Sequence, residues 1–208
     1  MSSIAATFEG PNGTLLETQR GPASKRIVAA YGFWIFLLSD IVMFSALFAT
    51  YAVLVNATAG GPTGAELFNQ TSVAIETASL LLSSYVCGLM SLAINAQNRI
   101  GTYLGAAATF ALGAVFLALE VHEFAGMIAK GATPDRSAFL SAFFTLVGCH
   151  GLHVTIGLLW LVVMMTQVAA KGFRAKVQRR LICFSLFWHA LDIIWVGLFT
   201  VVYLMGIL

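Results

Sequence analysis

Five runs of almost wholly apolar residues, each about 20 residues or longer, punctuate the 208-residue chain. A helix rises about 1.5 Å per residue, so each run is long enough to cross the roughly 30 Å of hydrocarbon in a bilayer. With 59% hydrophobic and only 10% charged residues, the chain lies outside the range of soluble globular domains. The expected fold is all-α: an integral membrane bundle of five transmembrane helices, over about 27–55, 70–96, 101–125, 138–168 and 181–207. The third run has the least definite end, because "LALEVHEFAGMIAKG" keeps helical composition as far as Gly131.

All four prolines, Pro11, Pro22, Pro62 and Pro134, fall outside these runs, which predicts largely continuous helices. Nine of the eleven basic residues lie on one side of the predicted spans: Arg20, Lys25 and Arg26, then Arg99, then Lys171, Arg174, Lys176, Arg179 and Arg180. Only Lys130 and Arg136 remain for the other side. Because cytoplasmic loops collect Lys and Arg, the N-terminus is expected in the cytoplasm and the C-terminus outside. "KGFRAKVQRR" then reads as an inside anchor, not a nucleic-acid site. Residues 1–26, polar and containing Gly and Pro, read as a flexible cytoplasmic tail without a cleavable signal. Cys87, Cys149 and Cys183 are odd in number and share no metal-type spacing, so they read as small packing residues. Asp135 or Ser137 is positioned to cap the fourth helix.

An ionisable side chain costs about 2.5–3.5 kcal/mol at membrane depth on insertion scales, so each one inside a run asks for a reason. Asp40, in "FLLSDIVMF", sits near the middle of the first run. It reads either as a proton-relay carboxyl or as a carboxyl buried between helices for packing specificity. Glu120 and Glu123, at i and i+3, share a face near the end of the third helix, where an interfacial pair is the plainer reading. His150 and His153 repeat this spacing in "VGCHGLHVTIG", beside Gly148, Gly151 and Gly157, which allow close approach of another backbone. In "SLFWHALDIIW", His189 and Asp192 again share a face, and Trp188 and Trp195 follow at helical intervals.

Two helices offering H-x-x-H and H-x-x-D have the residue types to ligate a transition metal or, with facing histidines, a haem. The alternative is a buried polar network in which His189 pairs with Asp192 or with the fourth helix. There is no Gly-rich phosphate loop, C-x-x-C, H-E-x-x-H or nucleophile elbow in the sequence, so no self-contained catalytic centre is expected. A free-standing transporter with Asp40 and the histidines at its centre is a competing class. The absence of an internal repeat and the unbroken helices weigh against it.

"HGLHVTIGLLWL" and "LFWHALDIIWVGLFTVVYLMG" resemble subunit III of the haem-copper terminal oxidases. "FWIFLLSDIVMFSALFATYAVLVNATAGGPTG", "ALEVHEF" and "PDRSAFLSAFFTLVGCHGLHV" look most like the subunit III of cytochrome o type ubiquinol oxidases. The likeness runs in order from about Gly32 to the C-terminus. It implies a five-helix, noncatalytic subunit of a proton-pumping quinol oxidase in a bacterial cytoplasmic membrane, with a cytochrome c oxidase or another haem-copper reductase as the nearest alternative. Haems and copper are expected in the partner catalytic subunit I and no cofactor in this chain, which would stabilise that partner, bind phospholipid and support proton uptake. By position, Asp40 takes the place of the family's intramembrane carboxyl, which is usually Glu in the cytochrome c branch. Glu120 and Glu123 fall in its acidic third-helix motif, and His150, His153, Trp188, His189 and Asp192 in its fourth- and fifth-helix signatures. The resemblance implies no catalytic or metal-binding residue here and favours the polar network over the metal.

Overall fold

The computed structural model describes residues 25–62, 64 and 70–204 of the chain, and all the regular structure among them is helical. The helices are α1 (Lys25–Leu54), α2 (Gln70–Asn95), α3 (Arg99–Ala129), α4 (Ala138–Lys171) and α5 (Ala175–Leu198), and α5 continues into a π-helical segment, Phe199–Leu204. All five are long and apolar enough to cross a membrane. The expected tail lies outside the described residues, apart from Lys25 and Arg26, with which α1 begins. α5 starts six residues before the apolar run does, because its first turns carry Lys176, Arg179 and Arg180, good helix formers that a hydropathy pattern passes over.

Local chemistry sets the turns. The connection 96–98 between α2 and α3 is short: Gln97 takes a left-handed conformation (φ 57°), and Asn98 N–H closes back on the Ala93 carbonyl at 2.9 Å. The Asn98 side chain then caps α3 by accepting from Gly101 N–H at 3.1 Å. Ser137, not Asp135, caps α4, accepting from Leu140 N–H at 3.2 Å. At the same end of the bundle, Phe139 N–H donates to the Ala57 carbonyl at 3.2 Å, which ties the exit of α1 to the start of α4.

The most intimate pairing is α2 with α3. A Cβ on Gly105 would lie 2.8 Å from Met90 Cβ and force the helices apart, and one on Gly101, 3.1 Å from Ala93 Cβ, would push its neighbour back by a few tenths of an ångström. α4 packs on α5, α2 on α5, and α3 on α4, whereas α1 rests mainly on α4. The buried residues follow seams of alternating three- and four-residue steps. On α2 they include Val73, Glu76, Leu80, Ser83, Cys87 and Met90, and on α5 Leu181, Phe184, Trp188, Leu191, Trp195 and Leu198. That 3.5-residue repeat keeps one stripe of each helix turned to its neighbours. α1 has only a thin stripe, Leu37, Phe44 and Tyr51, seven residues apart, and exposes Trp34, Leu38, Val42 and Val53.

The π-helical segment refines the expectation of continuous helices: the fifth helix does not break, but its last turns widen. Two consecutive residues, Val202 and Tyr203, are both buried there, and Tyr51 of α1 reaches across to the Val202 carbonyl at 3.4 Å. Such turns recur at functional sites.

Candidate functional site: an intramembrane polar network

The polar residues of α5 find their partners on α2. Trp188 Nε1 donates to Ser83 Oγ at 3.1 Å, and Ser83 in turn donates to the Thr109 carbonyl of α3 at 3.2 Å. Trp195 Nε1 donates to Thr77 Oγ1 at 3.1 Å. Ser84 Oγ lies 2.7 Å from His189 Nδ1 and is also the hydrogen-bonding neighbour of Asp192. Ser91 Oγ is 3.0 Å from Ser185 Oγ. Thr77, Ser84 and Ser91 are spaced seven apart, so the small hydroxyls of α2 form a ladder facing an antiparallel α5. Interhelical bonds of this kind contribute about 0.6 kcal/mol each in membranes, and several along one seam fix its register.

His189 and Asp192 therefore share a face, as their spacing predicts, but Ser84 on α2 completes the pair and α4 does not. The two lie with Leu81, Tyr85 and Gly88 along a shallow groove of about 460 Å³ on the outside of the α2–α5 pair. Trp188 points inward, its ring held between α3 and α4 where Gly113 and Gly157 leave room.

The two histidines of α4 diverge. His150 is fully buried among aromatic rings, with centroids 5.3 Å from Trp195, 5.8 Å from Phe116 and 6.3 Å from Phe44. Neither of its ring nitrogens has a hydrogen-bond partner among the described residues. His153 lies on the α1 side, 5.3 Å from the Phe44 ring, and interacts electrostatically with Asp40. Its Nδ1 is 2.7 Å from the Cys149 carbonyl, which can only accept, so Nδ1 carries the proton. Asp40 is half-buried on α1, and one of its oxygens, Oδ2, is buried without a partner among the described residues. H-x-x-H and H-x-x-D thus point to different neighbours, α1 and the aromatic interior in one case and α2 in the other. Among the described residues, no three His, Cys, Asp or Glu side chains are arranged to hold a metal ion.

The acidic pair of α3 sits differently from an interfacial pair. Glu120 is only 2% exposed, and α4 presses on it so closely that a Cβ on Gly151 would lie 2.8 Å from Glu120 Oε1. Glu76 of α2, fully buried, joins Glu120 and Glu123, and Tyr203 of the π-helical segment stands beside Glu123. Neither Glu76 oxygen has a hydrogen-bond partner among the described residues. Sequence reasoning overlooked Glu76, and it also passed over Thr77, Ser84 and Ser91. The available signal was periodicity: Glu76 sits in step with Val73, Leu80, Ser83 and Cys87, and a Glu at a seam position faces protein.

The chain matches the family model described as "Cytochrome c oxidase subunit III" over residues 16–207. It is 53% identical over 180 residues to the cytochrome bo(3) ubiquinol oxidase subunit 3 of Pseudomonas aeruginosa, covering 86% of this chain and 85% of that protein. It is 40% identical over 197 residues to the subunit of that name from Buchnera aphidicola of Acyrthosiphon pisum, covering 94% of this chain and 96% of that protein. The quinol oxidase subunit 3 of Bacillus subtilis is 43% identical over 176 residues, 85% of this chain and 86% of that protein. With a match that spans all five helices, this chain belongs to the cytochrome c oxidase subunit III family.

Proposed function

We propose that the chain is subunit III of a bacterial ubiquinol oxidase of the cytochrome bo(3) type, a multi-pass protein of the inner membrane that assembles with the other subunits of the complex. The observation that carries this reading is 53% identity to a bo(3) subunit 3 across most of both chains. The subunit is noncatalytic, and the haems and copper belong to catalytic subunit I. The divergent placement of His150, His153, His189 and Asp192 suits helix packing better than ligation. The N-terminus is cytoplasmic and the C-terminus external, supported by the nine basic residues that the sequence distributes to one side of the spans. α1, with its thin buried stripe and broad exposed face, is the helix with most surface left for a neighbouring subunit.

Two finer roles belong to the same reading. Phospholipid is bound by the apolar furrow of about 480 Å³ between α3 and α4, walled by Tyr103, Ala106, Phe110, Leu161 and Met165 and wide enough for acyl chain. Asp40 supports proton uptake by the complex. The chain tagged and purified from its native membrane in mild detergent, with a reduced-minus-oxidised spectrum and the list of co-purifying proteins, tests the assignment. Haem bands with a much larger subunit, lost when this chain is isolated alone, are expected; a colourless chain without partners overturns it.

A second reading, subunit III of a cytochrome c oxidase, draws on 42% identity over 177 residues to the cytochrome c oxidase subunit 3 of Bacillus sp. PS3. Oxygen uptake by the purified complex driven by ubiquinol, and not by reduced cytochrome c, decides between the two.

A further inference from the structure

Three carboxyls from two helices meet inside the bundle toward the end that carries the 130–137 connection. Glu76 comes from α2, and Glu120 and Glu123 from α3; the three interact electrostatically with one another. Glu76 and Glu123 line a cavity of about 210 Å³ whose other walls include Ser72, His122, Gly126 and Lys130. Glu76 is fully buried, neither of its oxygens has a hydrogen-bond partner among the described residues, and the residue forms part of the wall of this cavity. We propose that Glu76, Glu120 and Glu123 form a proton-binding site, in which the carboxyls hold protons in common and exchange them with water at the 130–137 end through the cavity.

The physical grounds are charge and shape. Like charges that interact in a water-poor interior repel strongly, so three buried carboxyls, two of them on one cavity wall, cannot all stay ionised without counter-charge. The groups facing them can be named element by element. α2 contributes Glu76 itself; α3 contributes His122, and Lys130 follows its last turn, both on the cavity wall with neither hydrogen-bonded to Glu76 or Glu123. The π-helical segment brings Tyr203, and α1 brings Tyr51, which interacts with Tyr203. α4 brings Gly151 against Glu120, with His150 turned into the aromatic rings. Closely coupled carboxyls take up protons as a unit and not as separate residues. Each uptake moves one proton from hydronium to a carboxylate oxygen and leaves a water, with no change at carbon and no oxidant or reductant. The cavity supplies the path, since a space of this size with polar walls holds several waters.

The site is a property of this chain's own residues; the proposed oxidase is only the setting in which it is measured. The test is infrared spectroscopy of the purified complex at neutral pH in H2O and after transfer to D2O, with haem content taken on the same samples. The wild-type-minus-E76Q difference spectrum cancels Asp40 and Asp192, which both proteins share. It is expected to contain the C=O stretch of a protonated carboxylic acid, shifted in D2O, and E123Q is expected to lose the same band. Gly126→Leu, at a position where a Cβ meets nothing within 4 Å, should fill the cavity, keep the band and slow its shift in D2O.

A difference spectrum containing only carboxylate bands overturns the proposal, because the cluster is then neutralised by a cation or by a basic residue of a neighbour. A band with the same shift rate in Gly126→Leu overturns the path. If neither Gln variant assembles, wild type against Gly126→Leu decides: an acid band whose shift in D2O is slower in the variant supports the site, and no such band overturns it. Failure of the subunit assignment has a different signature, namely a purified chain that carries these bands without haem.

Discussion

Gly157→Ala is the sharpest probe of how this bundle is held. The added Cβ would lie 2.9 Å from Trp188 Cζ3, 3.1 Å from Cε3 and 3.3 Å from Phe187 Cε1. Carbon atoms pack favourably at about 3.5–4.0 Å, so the new methyl group arrives about 0.6 Å too close to a rigid ring. Retreat is limited on the far side, where the Trp188 ring already fills the room that Gly113 leaves, and its Nε1 is tied to Ser83 at 3.1 Å. α4 must therefore move away from α5, or the ring must leave its rotamer and its hydrogen bond. Overpacking of this kind costs about 1–3 kcal/mol, equivalent to roughly 5- to 150-fold in the folding or assembly equilibrium.

The assay is the thermal unfolding midpoint and the yield of assembled complex in one detergent for wild type, Gly157→Ala, Trp188→Phe and the double variant. Trp188→Phe removes the outer ring atoms that the methyl group strikes, so the double variant should be more stable than the sum of the two single losses, with a coupling on the order of 1 kcal/mol. Wild-type stability in Gly157→Ala, or strictly additive losses, would refute the wedge between α3, α4 and α5.

Asp192→Asn or His189→Leu should lower the amount of assembled complex more than the turnover of what assembles, because the first weakens and the second removes a tie to Ser84; normal assembly with abolished turnover per haem would contradict this. Asp40→Asn should leave oxygen reduction largely intact and alter proton uptake or inactivation during turnover, as read by proton stoichiometry in reconstituted vesicles. Wild-type values there would make the carboxyl a packing group. Ser137→Ala removes the cap bond to Leu140 N–H and should cost about 1 kcal/mol, seen as faster proteolysis or hydrogen exchange at the start of α4, with unchanged exchange as the contrary result.

The membrane class, the five helices and their approximate limits follow from sequence alone, because lipid imposes one rule on every residue: a long apolar run must satisfy its own backbone, which a helix does. That rule is local, so Asp40, Glu120 and His189 stand out on inspection as charges in the wrong solvent. Their partners do not stand out. Ser84 completes the His189–Asp192 pair from a helix about a hundred residues earlier, and sequence spacing links residues only within one helix. Glu76 escapes notice beside Glu120 for the same reason, as does the separation of His150 from His153, whose shared i, i+3 spacing suggested a joint role. Which stripe of α2 meets α5, and whether α4 turns a glycine or a side chain toward Glu120, depends on crossing angles and on where Gly101, Gly105, Gly113, Gly151 and Gly157 let backbones or rings approach. The sequence determined which segments enter the membrane; close packing among them decided which of the buried polar groups meet.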